Sequence, residues 1–298
     1  MHHFRFIYFL CISFFIYGCE KRIDFDIKTS SAVLTVDAAI ETGEFPVVFL
    51  SKSLNYFSKI DLSAISESMI RDAQVQITSD GKKIELIKQE IFFPGNLSLV
   101  FYTCDSVNVQ KQIRGAQGKF YELEILWNNQ VYKATTTIPI LRKTLDSLWW
   151  TKAPLAEDTS SKVVLQGRFN DPPQFGDYIR YFTKTNHEPY YPGSNSAFDD
   201  LLVNGTVYDI QIPRSFDRNS PPDFSDEPAF RRGDTITVKL SNIDKATFDF
   251  WRTTEFSYQS AGNPFFTPVK ILGNISNGAL GYFGGYANQF RTIIIPPL

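Results

Sequence analysis

Phe120-Tyr121-Glu122-Leu123-Glu124-Ile125-Leu126-Trp127, a turn at Asn128-Asn129, then Val131-Tyr132-Lys133-Ala134-Thr135-Thr136-Thr137-Ile138: this stretch decides the fold class. Two runs rich in β-branched and aromatic residues meet at a pair of asparagines, which is the pattern of a β-hairpin. Outward from it the same pattern recurs. Ala32 to Ile40, Phe45 to Ser51, Ala73 to Thr78, Lys83 to Lys88 and Leu97 to Thr103 read as strands. Ser79-Asp80-Gly81-Lys82 is a hairpin turn between two of them. Residues 52–70 are Ser-rich and read as irregular. Several short strands with turn signals between them imply an immunoglobulin-like β-sandwich over residues 32–139. The Cys–Trp–Cys hallmark of true immunoglobulin domains is missing, so only the architecture is implied.

Pro139 closes that unit, and residues 140–298 read as a second β-rich domain. Its expected strands are Leu148 to Thr151, Lys162 to Phe169, Asp177 to Thr185, Val207 to Pro213, Asp234 to Leu240 and a final Phe290 to Ile295. Long irregular loops are expected at 186–206 and 214–233; loops of that length in a compact domain are either functional or disordered. One helix is predicted at about 241–259. Ser241-Asn242-Ile243-Asp244 resembles a capping box, and Phe248, Trp251, Glu255 and Tyr258 share one stripe behind it. The expectation is therefore a mainly β protein with one helix.

The N-terminus carries a different signal. Arg5 precedes an apolar run from Phe6 to Tyr17, followed by Gly18, Cys19 and the polar Glu20-Lys21-Arg22. A short basic start, an apolar run of about 7–15 residues and a small residue at the cut describe a secretory signal; a membrane-crossing helix needs about 20 apolar residues. Ile16-Tyr17-Gly18-Cys19 resembles a bacterial lipobox, departing from it at Tyr17. Residues 1–18 are thus expected to be removed, Cys19 to be acylated, and residues 19–31 to form the tether. Several acyl chains, at about 0.8 kcal/mol per buried methylene, make such an anchor effectively permanent.

Composition excludes whole function classes. Net charge is −2 and the pI is about 6.0, so there is no basic surface for nucleic acid. Of three cysteines, Cys11 lies in the expected signal and Cys19 is the lipid acceptor. Cys104 alone remains, in a strand-like run, and reads as a small buried hydrophobe. No intramolecular disulfide is available, and the fold rests on packing.

Catalytic chemistry is equally sparse. Beyond the first few residues the only histidine is His187, so a His-rich zinc site is excluded. A Ser-His-Asp triad would have to use it, and no GxSxG elbow supplies the serine. Gly278, Gly281 and Gly284 do not form GxGxxG, and no GK[ST] follows. Asp199 and Asp200 are adjacent and on a strand would face opposite ways. Asp223, Asp226 and Glu227 lack the spacing of a calcium loop. No catalytic residue, metal site or cofactor is assigned. The candidate ligand-binding residues are Tyr190 and Tyr191, aromatic and flanked by prolines, with His187 beside them.

The tail Gly262-Asn263-Pro264-Phe265-Phe266-Thr267-Pro268, with Ile271 to Tyr286 (ILGNISNGALGYFGGY), resembles the C-terminal signature of a Bacteroidota lipoprotein family known as domain of unknown function 4249. Asp171-Pro172-Pro173, Gly176-Asp177-Tyr178-Ile179-Arg180, Phe198-Asp199-Asp200, Asn204-Gly205, Gly233-Asp234-Thr235 and Phe248-Asp249-Phe250-Trp251 are similar to its other motifs. The family has no assigned activity. The resemblance implies an outer-membrane lipoprotein of the kind found beside TonB-dependent transporters. The expected function is a non-enzymatic binding or accessory subunit of such an uptake system, on a membrane face that the sequence leaves open. The alternatives are a structural or adhesive envelope lipoprotein, and less favoured, a hydrolase of unfamiliar site.

Overall fold

The computed structural model describes residues 32–54, 61–95, 97–154, 161–218, 229–261, 263, 267 and 269–298. Alternation of buried and exposed residues builds its strands: in β1 (Leu34–Glu41), Leu34, Val36, Ala38 and Ile40 are buried and the intervening side chains are less so. Such a period-two pattern buries one face of a sheet. Strands β2 (Val47–Lys52), β3 (Gln74–Ser79), β4 (Lys82–Glu85), β5 (Ile87–Phe93), β6 (Leu97–Thr103), β7 (Lys119–Trp127) and β8 (Gln130–Ile138) follow. The decisive hairpin is β7–β8, and Asn128 and Asn129 take the positive φ values, 48° and 58°, of a two-residue turn.

After it come β9 (Thr144–Lys152), β10 (Lys162–Asn170), β11 (Tyr178–Thr185), β12 (Tyr191–Phe198), β13 (Val207–Ile212), β14 (Phe230–Arg231), β15 (Thr235–Ile243) and β16 (Leu280–Ile294). An eight-stranded sheet runs β12-β11-β15-β16-β1-β2-β6-β5. Two four-stranded sheets complete the molecule, one of order β4-β3-β7-β8, the other with β10 between β9 on one side and β13 and β14 on the other. One core contains Val36, Val48, Val75, Leu123 and Ile138. A second contains Leu145, Leu165, Phe169, Tyr181 and Leu240. Among the described residues the fold is mainly β, with several sheets and two α-helices. Among the described residues no helix is long and apolar enough to cross a membrane.

Residue 139 is where the chain leaves the β4-β3-β7-β8 sheet, and β16 bridges the strands on either side of it. Residues 280–286 of β16 pair in parallel with β1, and residues 286–294 pair antiparallel with β15. Phe283 and Ala287 join the core of the N-terminal strands. One strand thus belongs to both halves.

Four local expectations change. The return strand expected at Lys83 to Lys88 is two strands. Leu86, 4% exposed, donates its N–H to Val75 O at 2.8 Å, after which Ile87 pairs with Thr103 in the other sheet. The Ser-rich stretch contains a helix, α1 (Leu62–Ser68), capped by Asp61, which accepts the Ala64 N–H at 2.9 Å. The expected loop 186–206 contains β12. The final strand starts ten residues before the Phe290 expected from sequence, because glycine permits a close backbone crossing there.

The later helix is α2 (Lys245–Ser260), with Asp244 rather than Ser241 as its cap; Ser241 to Ile243 finish β15. Asp244 Oδ1 accepts the Thr247 N–H at 2.8 Å, while Oδ2 accepts from Thr136 Oγ1 and the Thr137 N–H at 2.8 and 3.0 Å. One carboxylate therefore caps the helix and ties it to β8. Of the expected stripe, Phe248 and Glu255 are buried, Trp251 is half-buried and Tyr258 is exposed.

The glycines of the tail have a steric reason. Gly281 sits at φ +96°, and a Cβ there would run into the Val36 carbonyl. A Cβ on Gly285 would lie 2.6 Å from Thr137 O. Both obstacles are backbone, which cannot swing aside. Gly285→Ala is therefore expected to lower the unfolding free energy by about 1–3 kcal/mol, the usual cost of overpacking, read as an earlier denaturant midpoint. An unchanged midpoint would show that β8 and β16 have room to separate.

Candidate ligand cleft

Two edge strands, β12 and β13, bound the gap between the eight-stranded sheet and the β10 sheet. Between them lies a cleft of about 550 Å³, within the range of sites for small organic ligands. Tyr181 and Phe198 stack on one wall, with ring centroids 6.1 Å apart, and Phe169 and Tyr208 on the other, 5.5 Å apart. In each pair the inner ring is buried and the outer is more open: Phe169 and Tyr181 are under one-tenth exposed, Phe198 is 39% exposed. Ile210, Leu202 and Val203 add aliphatic surface at the rim, and Leu202 stands 97% exposed. The polar lining is sparse: Ser194, Asn195, Gln211 and the carboxylate of Asp199. Burial, with the negative charge of Glu255 nearby, pushes the Tyr181 hydroxyl up to about 12, so the cleft floor stays uncharged across the physiological range.

A buried network positions the β12 wall. Glu255 of α2, 1% exposed, accepts the Ser196 N–H at 2.8 Å and the Ser196 hydroxyl. Arg180 Nε donates to Ser196 Oγ at 3.0 Å, and its guanidinium lies 3.4 Å from the centre of the Trp251 ring. Arg218 donates to Glu255 Oε1 at 2.9 Å and to the Gly193 carbonyl. Glu255 and Arg218 are paired and hydrogen-bonded, the condition under which burying charge is tolerable. They fix the strand's edge backbone against the helix.

A second cluster positions the Leu202 turn. Asp171, Asp177 and Asp200 are buried with carboxylate oxygens within 4.8 Å of one another. Asp200 Oδ2 accepts the N–H groups of Gly176 and Asp177 at 2.8 and 3.0 Å, and its carbonyl accepts the Val203 and Asn204 N–H groups at 3.1 and 2.9 Å. Three carboxylates in this arrangement have the chemistry of a cation site. The cation this chain supplies is Lys143, whose Nζ lies 2.6 Å from Asp171 Oδ2 with both side chains fully buried. Arg142 lies 3.3 Å from Asp177. The cluster is thus a partly neutralised clamp that holds residues 171–177, 199–206 and the start of β9 together.

The sequence-derived candidates lie elsewhere. His187 is exposed in the β11–β12 turn. Tyr190 packs its ring 5.9 Å from that of Phe290, and Tyr191 pairs with Thr183 inside β12. None of the three lines the cleft. Cys19 and the Asp223, Asp226 and Glu227 group lie outside the described residues. Cys104 is free and buried, and burial pushes its thiol up, which keeps it protonated. Phe198, Asp199 and Tyr208 were missed as a group because they sit on separate elements; the Phe198-Asp199-Asp200 motif was their only trace.

Among the described residues the protein is mainly β, with several sheets and an apolar cleft between β12 and β13. The chain belongs to the family described as Domain of unknown function (DUF4249), whose model matches residues 20–292. No curated protein matches it.

Two results are expected of the clamp. Lys143→Ala leaves three buried carboxylates short of their counter-ion and should cost about 3–5 kcal/mol of stability, measured by equilibrium unfolding. Burial first, then Asp171 and Asp200, push the Asp177 carboxyl up, against the pull of Arg142 and Lys143. A raised acid binds its proton more tightly when folded, so its contribution to stability is present at low pH and lost as pH rises through the folded pKa. Asp177→Asn should therefore gain stability relative to the parent as pH rises above about 4, the ordinary carboxylate value; a gap that narrows as pH rises would refute the sign.

Proposed function

We propose that this chain is a lipid-anchored cell-envelope protein that binds a small ligand in the β12–β13 cleft. It serves as a binding or accessory subunit of a TonB-dependent uptake system at the outer membrane. The observation that carries the binding reading is the cleft itself: preformed, walled by two aromatic stacks and, among the described residues, lined without a histidine, lysine, arginine or cysteine. Its chemistry favours holding a molecule over transforming one. The anchor rests on the signal-like start and Cys19, and the transporter partnership on what the family resemblance implies.

On this reading the ligand is captured by burial of apolar surface, worth roughly 25 cal/mol per Å² before ordering costs. Acylation at Cys19 keeps the cleft near the membrane where the transporter opens. Two measurements test the proposal. Mass spectrometry of the mature N-terminus should find an acylated Cys19; an unmodified terminus at another residue rules out the anchor. Gentle solubilisation of native envelopes followed by affinity capture should recover a TonB-dependent transporter at near-stoichiometric yield. Capture of the chain alone, under conditions that keep other envelope complexes intact, would remove the uptake role.

A further inference from the structure

The charge around the cleft restricts what it accepts, and this step rests on the reading of the cleft as the ligand site. Among the described residues that line it, Asp199 is the one carboxylate and there is no lysine or arginine. Lys143 and Arg218 come close behind the walls, and both are already committed. Lys143 approaches the Tyr208 ring to 5.6 Å but is paired with Asp171 in full burial. Arg218 reaches the backbone beside Ser194 but is held by Glu255, whose side chain is fully buried. Releasing either would leave a buried carboxylate uncompensated, at a cost no single anionic contact offsets. An anionic ligand would thus enter an apolar gap that holds one negative charge and offers no free positive one.

The walls restrict shape as well. The more open rings, Phe198 and Tyr208, are each backed by an interior ring at near-parallel orientation, 22° and 11° between planes. Backed rings cannot swing away, so they present fixed flat faces. Fixed aromatic faces favour offset stacking with flat ring systems, and their negative faces attract cations.

We infer that the cleft takes a flat, predominantly apolar ligand that is neutral or positively charged, its rings against Phe198 and Tyr208 and its donor or cationic end at Asp199. Fatty acids and other anionic amphiphiles bind less well on this reading, because the described lining offers their head groups no free cation.

Three planar probes of different charge decide the matter on the purified full-length chain: Nile red (neutral), proflavine (cationic) and 1-anilinonaphthalene-8-sulfonate (anionic). Fluorescence titration should show Nile red and proflavine binding at least about tenfold more tightly than the sulfonate. Phe198→Ala should weaken both about tenfold. Leu202→Glu, at a position almost wholly exposed and therefore harmless to folding, should weaken Nile red as well. Asp199→Asn, which keeps the oxygen that accepts the Leu201 N–H, should weaken proflavine roughly three- to tenfold and leave Nile red unchanged.

Sulfonate binding as tight as Nile red, and lost in Phe198→Ala, overturns the ligand class. So does Nile red binding that neither Phe198→Ala nor Leu202→Glu disturbs, or no Nile red binding at all. Proflavine indifferent to Asp199→Asn overturns the placement of the polar end. Transporter capture does not depend on probe charge. Capture with sulfonate preference sinks this inference alone, whereas cleft-dependent Nile red binding without capture sinks the uptake role alone.

Discussion

The close approach of β16 to its neighbours is the constraint on which the rest of the structure depends. A single 15-residue strand closes the N-terminal strands in parallel and the C-terminal strands antiparallel. Parallel neighbours need a long crossover. Here the crossover is nearly the whole chain, since β1 and β16 stand at its two ends. Glycine makes the contact possible: at Gly281 and Gly285 the neighbouring backbone occupies the volume a Cβ would take. Asn274 reinforces the crossing, donating to Thr135 O and Phe283 O and accepting the Phe283 N–H. The Gly-rich tail is therefore a structural seam, and its aromatic members Tyr282 and Phe283 fill the space on either side of it.

Buried charge has a related role at the periphery. The Arg180–Ser196–Glu255–Arg218 network and the Lys143–Asp171 clamp both lie where hydrophobic packing alone would leave alternatives open. Each joins segments far apart in sequence: β11, β12 and α2 in one case, the entry to β9 and two turns in the other. A buried ion pair is no strong source of net stability, because desolvation cancels much of its attraction. Its value here is positional, since breaking either pair strands a charge. By holding β12 and the Leu202 turn in place, the two networks keep the cleft walls apart when apolar surfaces would otherwise close on one another.

The residues that carry the family resemblance fall mainly on this framework. Asp171, Asp177 and Asp200 make the clamp, Arg180 and Trp251 make the cation–aromatic contact, and Gly281 and Gly285 make the seam. Most cleft-lining side chains are drawn from other positions, with Ile179, Phe198 and Asp199 as the overlap.

The sequence by itself determined the mainly β class, most strands, the β7–β8 turn and the presence and length of α2. These follow from local alternation, turn residues and helix spacing, which depend only on near neighbours. The tertiary structure alone decided that Leu86 passes the chain from one sheet to another, because nothing local marks that break. It alone decided that β16 begins at Leu280, because a glycine run is a strand only when another backbone lies against it. It alone brought Lys143 to Asp171, and Phe198 to Tyr181 across from Tyr208. Burial, charge pairing and cleft walls are made by residues tens to hundreds of positions apart, and periodicity along one chain carries no information about which distant segment will supply the other half.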